Sequence, residues 1–95
     1  MILVSVFDKK SDEYAPCYCV NSIAVACRSF ENTVKRGDSD LSNFPEDFAL
    51  IQVGEFINGT VKPIEPVVLA NAIDYFPKKT QDKIHKKVNN NFKRN

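Results

Sequence analysis

Apolar residues recur with a period of two at the start of the chain. In residues 2–7 the even-numbered side chains are all aliphatic and share one face, which predicts a first β-strand. Leu3 and Phe7 indicate that the opposite face is also partly covered. After a charged turn, residues 14–20 predict a second strand, and Pro16 favours a position for it at the edge of a sheet.

The period lengthens to three and four residues after Val20, which predicts an amphipathic helix over residues 23–35. Asn21 or Ser22 can cap its N-terminus, and Gly37 supplies the C-terminal stop after two cations in the last turn. The residues predicted to form the apolar face are Ile23, Ala26, Cys27, Phe30 and Val34.

A polar loop over residues 38–47 separates this helix from a second pair of strands. Phe48–Ile57 predicts a strong strand, and Asn58-Gly59 is the preferred dipeptide of a two-residue type I′ hairpin. Residues 60–64 return as its partner until Pro63 and Pro66 end the pairing. Residues 67–76 admit either a short apolar helix or another strand, and we favour a helix over residues 68–74.

These elements predict an α+β fold. A small antiparallel sheet in the order strand, strand, helix, strand, strand has one helix packed on it, and residues 1–76 form a single domain. Residues 77–95 are a basic tail in which Thr80 can cap a helix with a thin apolar stripe of Ile84, Val88 and Phe92. Because the helix covers only one face of the predicted sheet, the other face is left for a partner or a second copy of the chain.

Charge is divided unevenly between these two parts. Residues 1–76 carry six basic and eleven acidic side chains, a net charge of −5, whereas residues 77–95 carry seven basic side chains and Asp82, a net charge of +6. Such charge asymmetry indicates a basic tail that binds an anionic partner. It also allows a different interpretation, in which the tail docks on the acidic body of a neighbouring copy.

Cysteine usage and the apolar runs favour a cytosolic protein without a membrane segment. The longest apolar runs are too short to cross a bilayer, and no signal-peptide pattern opens the chain. Cys17, Cys19 and Cys27 are interpreted as small buried hydrophobic residues, because residues two apart in a strand close a disulfide only with distortion. A metal site that combines them with His85 is disfavoured by the lack of Cys-x-x-Cys spacing.

The sequence contains no recognisable catalytic arrangement. His85 lies among lysines, and Glu46-Asp47 is more typical of a loop or helix cap than of an acid–base pair. Phosphate-binding glycine loops and nucleophile motifs are missing. We therefore expect a nonenzymatic protein without a cofactor, catalytic residues or a metal.

Nucleic-acid binding is the alternative that the basic residues support. Lysines neutralise phosphates without reading sequence, and exposed aromatic rings stack on bases of single strands. The predicted phosphate contacts are Lys78, Lys79, Lys83, Lys86, Lys87, Lys93 and Arg94 in the tail and Lys9, Lys10, Arg28, Lys35 and Arg36 in the body. The predicted stacking residues are Tyr14 and Tyr18, with Phe7 and Phe92 as further candidates. The competing interpretation is that the phenylalanines are core and the lysines maintain solubility.

Three segments resemble a known viral family. They are residues 6–10 (VFDKK), residues 24–30 (AVACRSF) and, most specifically, residues 44–56 (FPEDFALIQVGEF). Together they resemble the small nonstructural protein of gokushovirus-type Microviridae, phages with single-stranded DNA genomes, over roughly residues 2–73. The tail is longer and more basic than in that family.

The resemblance implies a bacteriophage protein that acts in the host bacterial cytoplasm in genome replication or packaging. Its expected partner is single-stranded DNA, with a viral replication or capsid protein as a further one, and we expect a homo-oligomer, preferably a dimer. The alternative function is a homo-oligomeric interaction protein that engages a viral or host protein through its sheet without binding nucleic acid. In structural terms, residues 45–47 are predicted to lead into the strand, and Gly54 to mark a close backbone approach or a bulge.

Overall fold

A computed structural model describes residues 1–77 of the chain. The elements, in chain order, are β1 (Ile2–Asp8), β2 (Glu13–Tyr14), β3 (Tyr18–Val20), α1 (Ile23–Arg36), α2 (Asp40–Asn43), a 3₁₀ turn (Pro45–Asp47), β4 (Phe48–Ile57), β5 (Thr60–Asn71) and a second 3₁₀ turn (Ala72–Tyr75). The predicted α+β class is confirmed. The expected helix of the tail lies outside the described residues.

The five strands form one antiparallel sheet. β1 pairs with β2 and β3 along one edge and with β4 along the other, and β5 follows as the opposite outer strand. The second predicted strand is therefore two short strands, with Tyr14 opposite Phe7 and Tyr18 opposite Val4. Pro16 falls in the interruption between them, at the edge of the sheet as expected, because it has no N–H to donate.

Two hydrogen bonds attach the segment between β2 and β3 to β1. The Ser5 hydroxyl donates to the Ala15 carbonyl at 2.6 Å, and the Ala15 N–H donates to the Val6 carbonyl at 2.9 Å. Ser5 is 2 % exposed, so its hydroxyl needs this partner. The edge strand thus stays attached to β1 across the gap.

The predicted main helix is confirmed together with its caps. Ser22 has an extended backbone, and its hydroxyl accepts the Val25 N–H at 3.2 Å, while Gly37 ends α1 in the left-handed region at φ 81°. Ala26, Phe30 and Val34 are buried, whereas Ile23 is half exposed in the first turn. Within residues 1–77 no helix is long and apolar enough to span a membrane.

The core lies between α1 and the face of the sheet formed by the even-numbered residues of β1. Val4 and Leu50 are fully buried there against the α1 face, and Ala72 closes one end. The Phe30 and Tyr75 rings meet edge to face, with their centroids 6.1 Å apart. Each fully buried aliphatic side chain contributes about 1.5–3 kcal/mol by leaving water.

β4 and β5 are joined by the predicted hairpin. Asn58 and Gly59 both have positive φ, 49° and 77°, as a type I′ turn requires. The helix predicted over residues 68–74 was wrong, because β5 continues to Asn71 and only Ala72–Tyr75 coils into a 3₁₀ turn. The apolar residues there pair with the buried strand β4, with Val68 opposite Ile51 and Ala70 opposite Leu50.

The two prolines of β5 do not end the pairing as predicted. Pro63 lies opposite Gly54 and Val67 opposite Gln52, so three residues of β5 bulge against one of β4. Because β5 is an outer strand, prolines are tolerated in it, and they remove N–H groups that another chain would use for pairing.

The predicted close approach at Gly54 is confirmed, and it coincides with register shifts on both sides of β4. A Cβ atom at this position would lie 2.9 Å from the Lys62 carbonyl oxygen and 3.3 Å from a Leu3 methyl carbon. The oxygen belongs to the paired backbone and cannot rotate away.

We expect Gly54→Ala to lower the free energy of unfolding by about 1–3 kcal/mol, because the added methyl group forces β4 and β5 apart. Equilibrium unfolding in urea measures this difference in the free energy of unfolding. Gly59→Asn is the control: a Cβ at Gly59 meets nothing within 4 Å, and Asn tolerates positive φ. Equal stability of Gly54→Ala and the native chain would contradict the close approach.

Candidate nucleic-acid interface

An aromatic pair lies on the face of the sheet opposite α1. Phe7 and Tyr14 are directly opposite each other in the β1–β2 pair, and their ring centroids are 4.6 Å apart at an interplanar angle of 35°. Since Val4 points into the α1 core, the odd-numbered Phe7 and its partner project from the other face. Tyr14 is 52 % exposed, which leaves a ring face open for stacking.

Lys9 extends along this same side of the sheet. Its ammonium donates to the Asn71 side-chain oxygen at 3.2 Å, and its backbone N–H donates to the Asp47 carbonyl at 2.8 Å. Asn71 pairs with Ala49, which pairs with Phe7, so the side chains of these three residues share a face. The Lys9 ammonium therefore lies on the same face as the aromatic pair, but two strands away from Phe7 and three from Tyr14.

The turn between β1 and β2 is organised by Asp8. Its carboxylate accepts the N–H of Lys10 at 3.0 Å and that of Ser11 at 3.4 Å, which is an Asx-type turn. Asp12 then adopts a positive φ of 59° to enter β2. These contacts hold Lys10 on the exposed turn beside Lys9.

The other predicted cations of the body lie on α1, away from Tyr14. Arg28 is exposed, the Lys35 ammonium lies 3.1 Å from Glu31, and the Arg36 guanidinium lies 3.2 Å from Asp38. Both ion pairs are largely exposed and stabilise the fold little. The structure does not join these three cations to Lys9 and Lys10 in one surface.

Tyr18 is also separated from Tyr14. It lies opposite Val4 and so projects on the α1 side of the sheet, where it is 41 % exposed. Partial burial raises the pKa of its phenol. The seven basic residues predicted in the tail lie outside the described residues: Lys78, Lys79, Lys83, Lys86, Lys87, Lys93 and Arg94.

The segment predicted as a polar loop folds into α2 and a 3₁₀ turn. The Ser42 hydroxyl anchors α2 to the end of α1 by donating to the Val34 carbonyl and accepting the Gly37 N–H at 3.1 Å. The Phe44 N–H donates to the Asp40 carbonyl at 2.8 Å, and the Asp47 N–H donates to the Phe44 carbonyl at 3.0 Å. This chain of bonds positions Phe44 beside the β1–β2 turn.

A cavity of about 350 Å³ lies between that turn, α2 and the start of β4. The sequence did not single out these residues as a site, because they come from three segments that only tertiary structure joins. Its lining combines two aromatic rings, three carboxylates, one ammonium and one hydroxyl: Phe44, Phe48, Asp8, Asp40, Asp47, Lys10 and Ser11.

Asp47 is the electrostatically perturbed group of this cavity. Burial raises the pKa of its carboxyl, and the neighbouring carboxylates of Glu46 and Asp8 raise it further, against the opposing effect of Lys10 and Lys9. The ionised form of Asp47 is thus less favourable in the folded protein than in water.

The cysteines do not occupy the buried positions predicted for them. Cys17 and Cys19 are exposed because they lie on the outer edge of the sheet, and Cys27 is half buried beside the core. Among residues 1–77 all three thiols are free, and no group of three or more His, Cys, Asp or Glu side chains is arranged to hold a metal ion.

We expect Asp47→Asn to raise the unfolding midpoint at pH 7, because a raised folded-state pKa means that ionisation of this carboxyl destabilises the fold. The gain should shrink as the pH falls through the raised value and vanish below the ordinary 3.8, where the carboxyl is protonated in both states. Thermal unfolding at several pH values measures this, with Asp12→Asn as the exposed control. A gain that does not change with pH would contradict it.

Comparison with known proteins yields one family. The chain matches the family described as Phage ORF5 protein over residues 1–75, a range that includes the aromatic pair, the β1–β2 turn and the whole cavity. Neither the curated proteins nor the solved structures provide a match. Because the match spans most of the chain, this protein belongs to the Phage ORF5 protein family.

Proposed function

We propose that this phage protein binds single-stranded DNA, without enzymatic activity, during genome replication or packaging. The observation that carries the proposal is the half-exposed Tyr14 ring, backed by Phe7 on the face of the sheet opposite α1 and next to the β1–β2 turn that carries Lys9 and Lys10. A flat aromatic surface beside a cation is how proteins hold single strands without reading their sequence.

The roles divide between bases and phosphates. A base stacks on Tyr14, and the adjoining phosphates contact Lys9 and Lys10 on the β1–β2 turn. Base–aromatic stacking contributes about 1–3 kcal/mol per base. The fixed position of Lys9, through its bonds to Asn71 and Asp47, reduces the entropy lost when a phosphate binds.

Charge supplies the rest of the affinity. The tail carries +6 and the body −5, so most of the attraction for a polyanion comes from residues 77–95. The acidic body repels phosphates over most of its surface, which favours contact with DNA at the tail and at the Lys9–Lys10 turn. Arg28, Lys35 and Arg36 are secondary contacts in this proposal.

The resemblance of three segments to gokushovirus-type Microviridae supports a more specific setting. In that setting the protein acts in the cytoplasm of the bacterial host, on a single-stranded DNA genome, beside a viral replication or capsid protein.

Binding of a labelled single strand, followed by fluorescence anisotropy at several salt concentrations, tests the proposal. We expect Tyr14→Ala to weaken binding roughly fivefold or more, because it removes the stacking ring, and Tyr14→Phe to preserve it. Replacing Lys78, Lys79, Lys83, Lys86 and Lys87 by Gln should weaken binding at least about tenfold at low salt. It should also reduce the salt slope by roughly 0.7 for each phosphate that is no longer neutralised.

Lys62→Gln is the control for removal of a charge, because Lys62 is exposed on β5, away from the aromatic pair. An absence of binding at low salt, or an affinity that is indifferent to both salt and the five tail lysines, would overturn the proposal.

The second candidate is a homo-oligomer, with a dimer as the simplest form, that engages a viral or host protein through its sheet. The outer strand β5 favours it, since Val61, Val67 and Val68 are 58 %, 48 % and 57 % exposed. Large aliphatic side chains at an outer strand are typical of a contact surface.

For this candidate we expect the sedimentation coefficient to rise with protein concentration, and Val67→Lys with Val68→Lys to abolish the rise because lysines oppose edge contacts. Val25→Lys is the matched control, since Val25 is 46 % exposed but lies on α1. A monomer at every concentration would rule the candidate out.

A further inference from the structure

The cavity between the β1–β2 turn, α2 and β4 is not used by the stacking surface. Its volume of about 350 Å³ lies within the range of small-ligand sites and is sufficient for one nucleobase. Phe44 forms part of its wall and is 51 % exposed, so a flat ring is open to a ligand. Phe48, the neighbour of Asp8 in the β1–β4 pair, adds a second aromatic side chain.

The polar groups of the cavity are mostly hydrogen-bond acceptors. Asp8, Asp40 and Asp47 contribute carboxylates, and Lys10 and Ser11 contribute an ammonium and a hydroxyl. A carboxylate offers about four acceptor sites, so Asp8 can accept a ligand donor in addition to the two turn N–H groups that it already binds. A ligand that fits this lining is flat and presents N–H donors.

We propose that this cavity binds one base of the bound single strand and selects bases that carry an exocyclic amino group. The inference rests on the proposed function, because it concerns the same DNA strand. In this arrangement the base stacks on Phe44 and its amino group donates to a cavity carboxylate, as carboxylates accept from the amino group of cytosine. A base with a carbonyl at that position places oxygen against carboxylate and is disfavoured.

The charges favour a base over the backbone at this place. Three carboxylates against one ammonium repel a phosphate, whereas a neutral base with amino hydrogens is attracted to them. The phosphates remain outside the cavity, at Lys9 on the turn.

The cavity and the stacking surface are adjacent along the chain. Phe7 and Asp8 are consecutive residues of β1, so their side chains lie on opposite faces of the sheet, and the turn with Lys9 and Lys10 wraps the end between them. Since stacked sheets pack roughly 10 Å apart, one sheet with the side chains of both faces is about that thick. A single strand can therefore run from Tyr14 around this end of the sheet to Phe44.

Anisotropy titrations of the full chain with oligo-dC and oligo-dU test the inference, since the two bases have the same size and differ at C4, amino against carbonyl, and at the adjoining N3, which carries a hydrogen only in uracil. We expect the native chain to bind oligo-dC at least about fivefold more tightly than oligo-dU. Asp40→Asn should reduce that ratio, and Asp40→Asn combined with Phe44→Ala should bring it close to one. Asp38→Asn is the matched control, because it removes the same charge two residues away from a position outside the cavity lining and should preserve the ratio.

The remaining outcomes distinguish failure of the cavity assignment from failure of DNA binding itself. Equal affinity of the native chain for the two oligonucleotides, or a ratio that survives the double variant, overturns the cavity assignment and leaves DNA binding intact. A ratio that Asp38→Asn changes as much as Asp40→Asn overturns it too, because bulk charge then explains the preference. If neither oligonucleotide binds at low salt, the proposed function fails and the inference fails with it.

Discussion

The pairing register between β1 and β4 determines which side chains of the sheet enter the core and which face away from α1. It places Val4 and Leu50 on one face of the sheet, where α1 buries both of them completely. A shift of one residue would turn Val4 to the face opposite α1 and bring Phe7 under α1, because side chains alternate with a period of two. The burial of these aliphatic side chains therefore decides where the aromatic pair projects.

The same register brings the end of β1 to the start of β4, where the proposed binding features lie. Asp8 is opposite Phe48, and the Lys9 N–H reaches the Asp47 carbonyl at 2.8 Å. From this point the Tyr14–Phe7 surface lies on one side of the sheet and the cavity with Phe44 on the other. In the proposed DNA complex, this end of the acidic body contributes the cations of the turn together with hydrogen-bond acceptors that exclude phosphate.

Both outer strands have features that oppose uncontrolled pairing. One edge is divided into β2 and β3 around Pro16, and β5 carries two prolines and a three-residue bulge. These devices are typical of sheets with exposed edges. They direct self-association, where it occurs, to side-chain contacts such as those of Val67 and Val68 rather than to continuous backbone pairing.

Local patterns sufficed for the elements whose signals are local. Ser22 caps the start of α1 and Gly37 its end, as predicted, and Asn58-Gly59 forms the expected hairpin turn. Caps and turns depend on neighbouring residues, so local patterns predict them. The prediction for residues 68–74 was wrong because a short apolar run is compatible with a helix and with a strand equally. In the folded chain, pairing with the buried strand β4 stabilises the strand up to Asn71. Burial of Cys17 and Cys19 was wrongly predicted although Pro16 indicated the edge, because no neighbouring strand covers this segment on its outer side.

The candidate site was likewise predictable from the sequence only in part. The α+β class, the uneven charge and the candidates Tyr14, Lys9 and Lys10 could be predicted from the residues, because each depends on composition or on a local pattern. The placement of Tyr14 and Tyr18 on opposite sides of the sheet, and the cavity that Asp40 and Phe44 form with the β1–β2 turn, appear only in the folded chain. A face, an edge or a cavity is created by which strands pair and in which register, and burial across the whole domain selects that pairing.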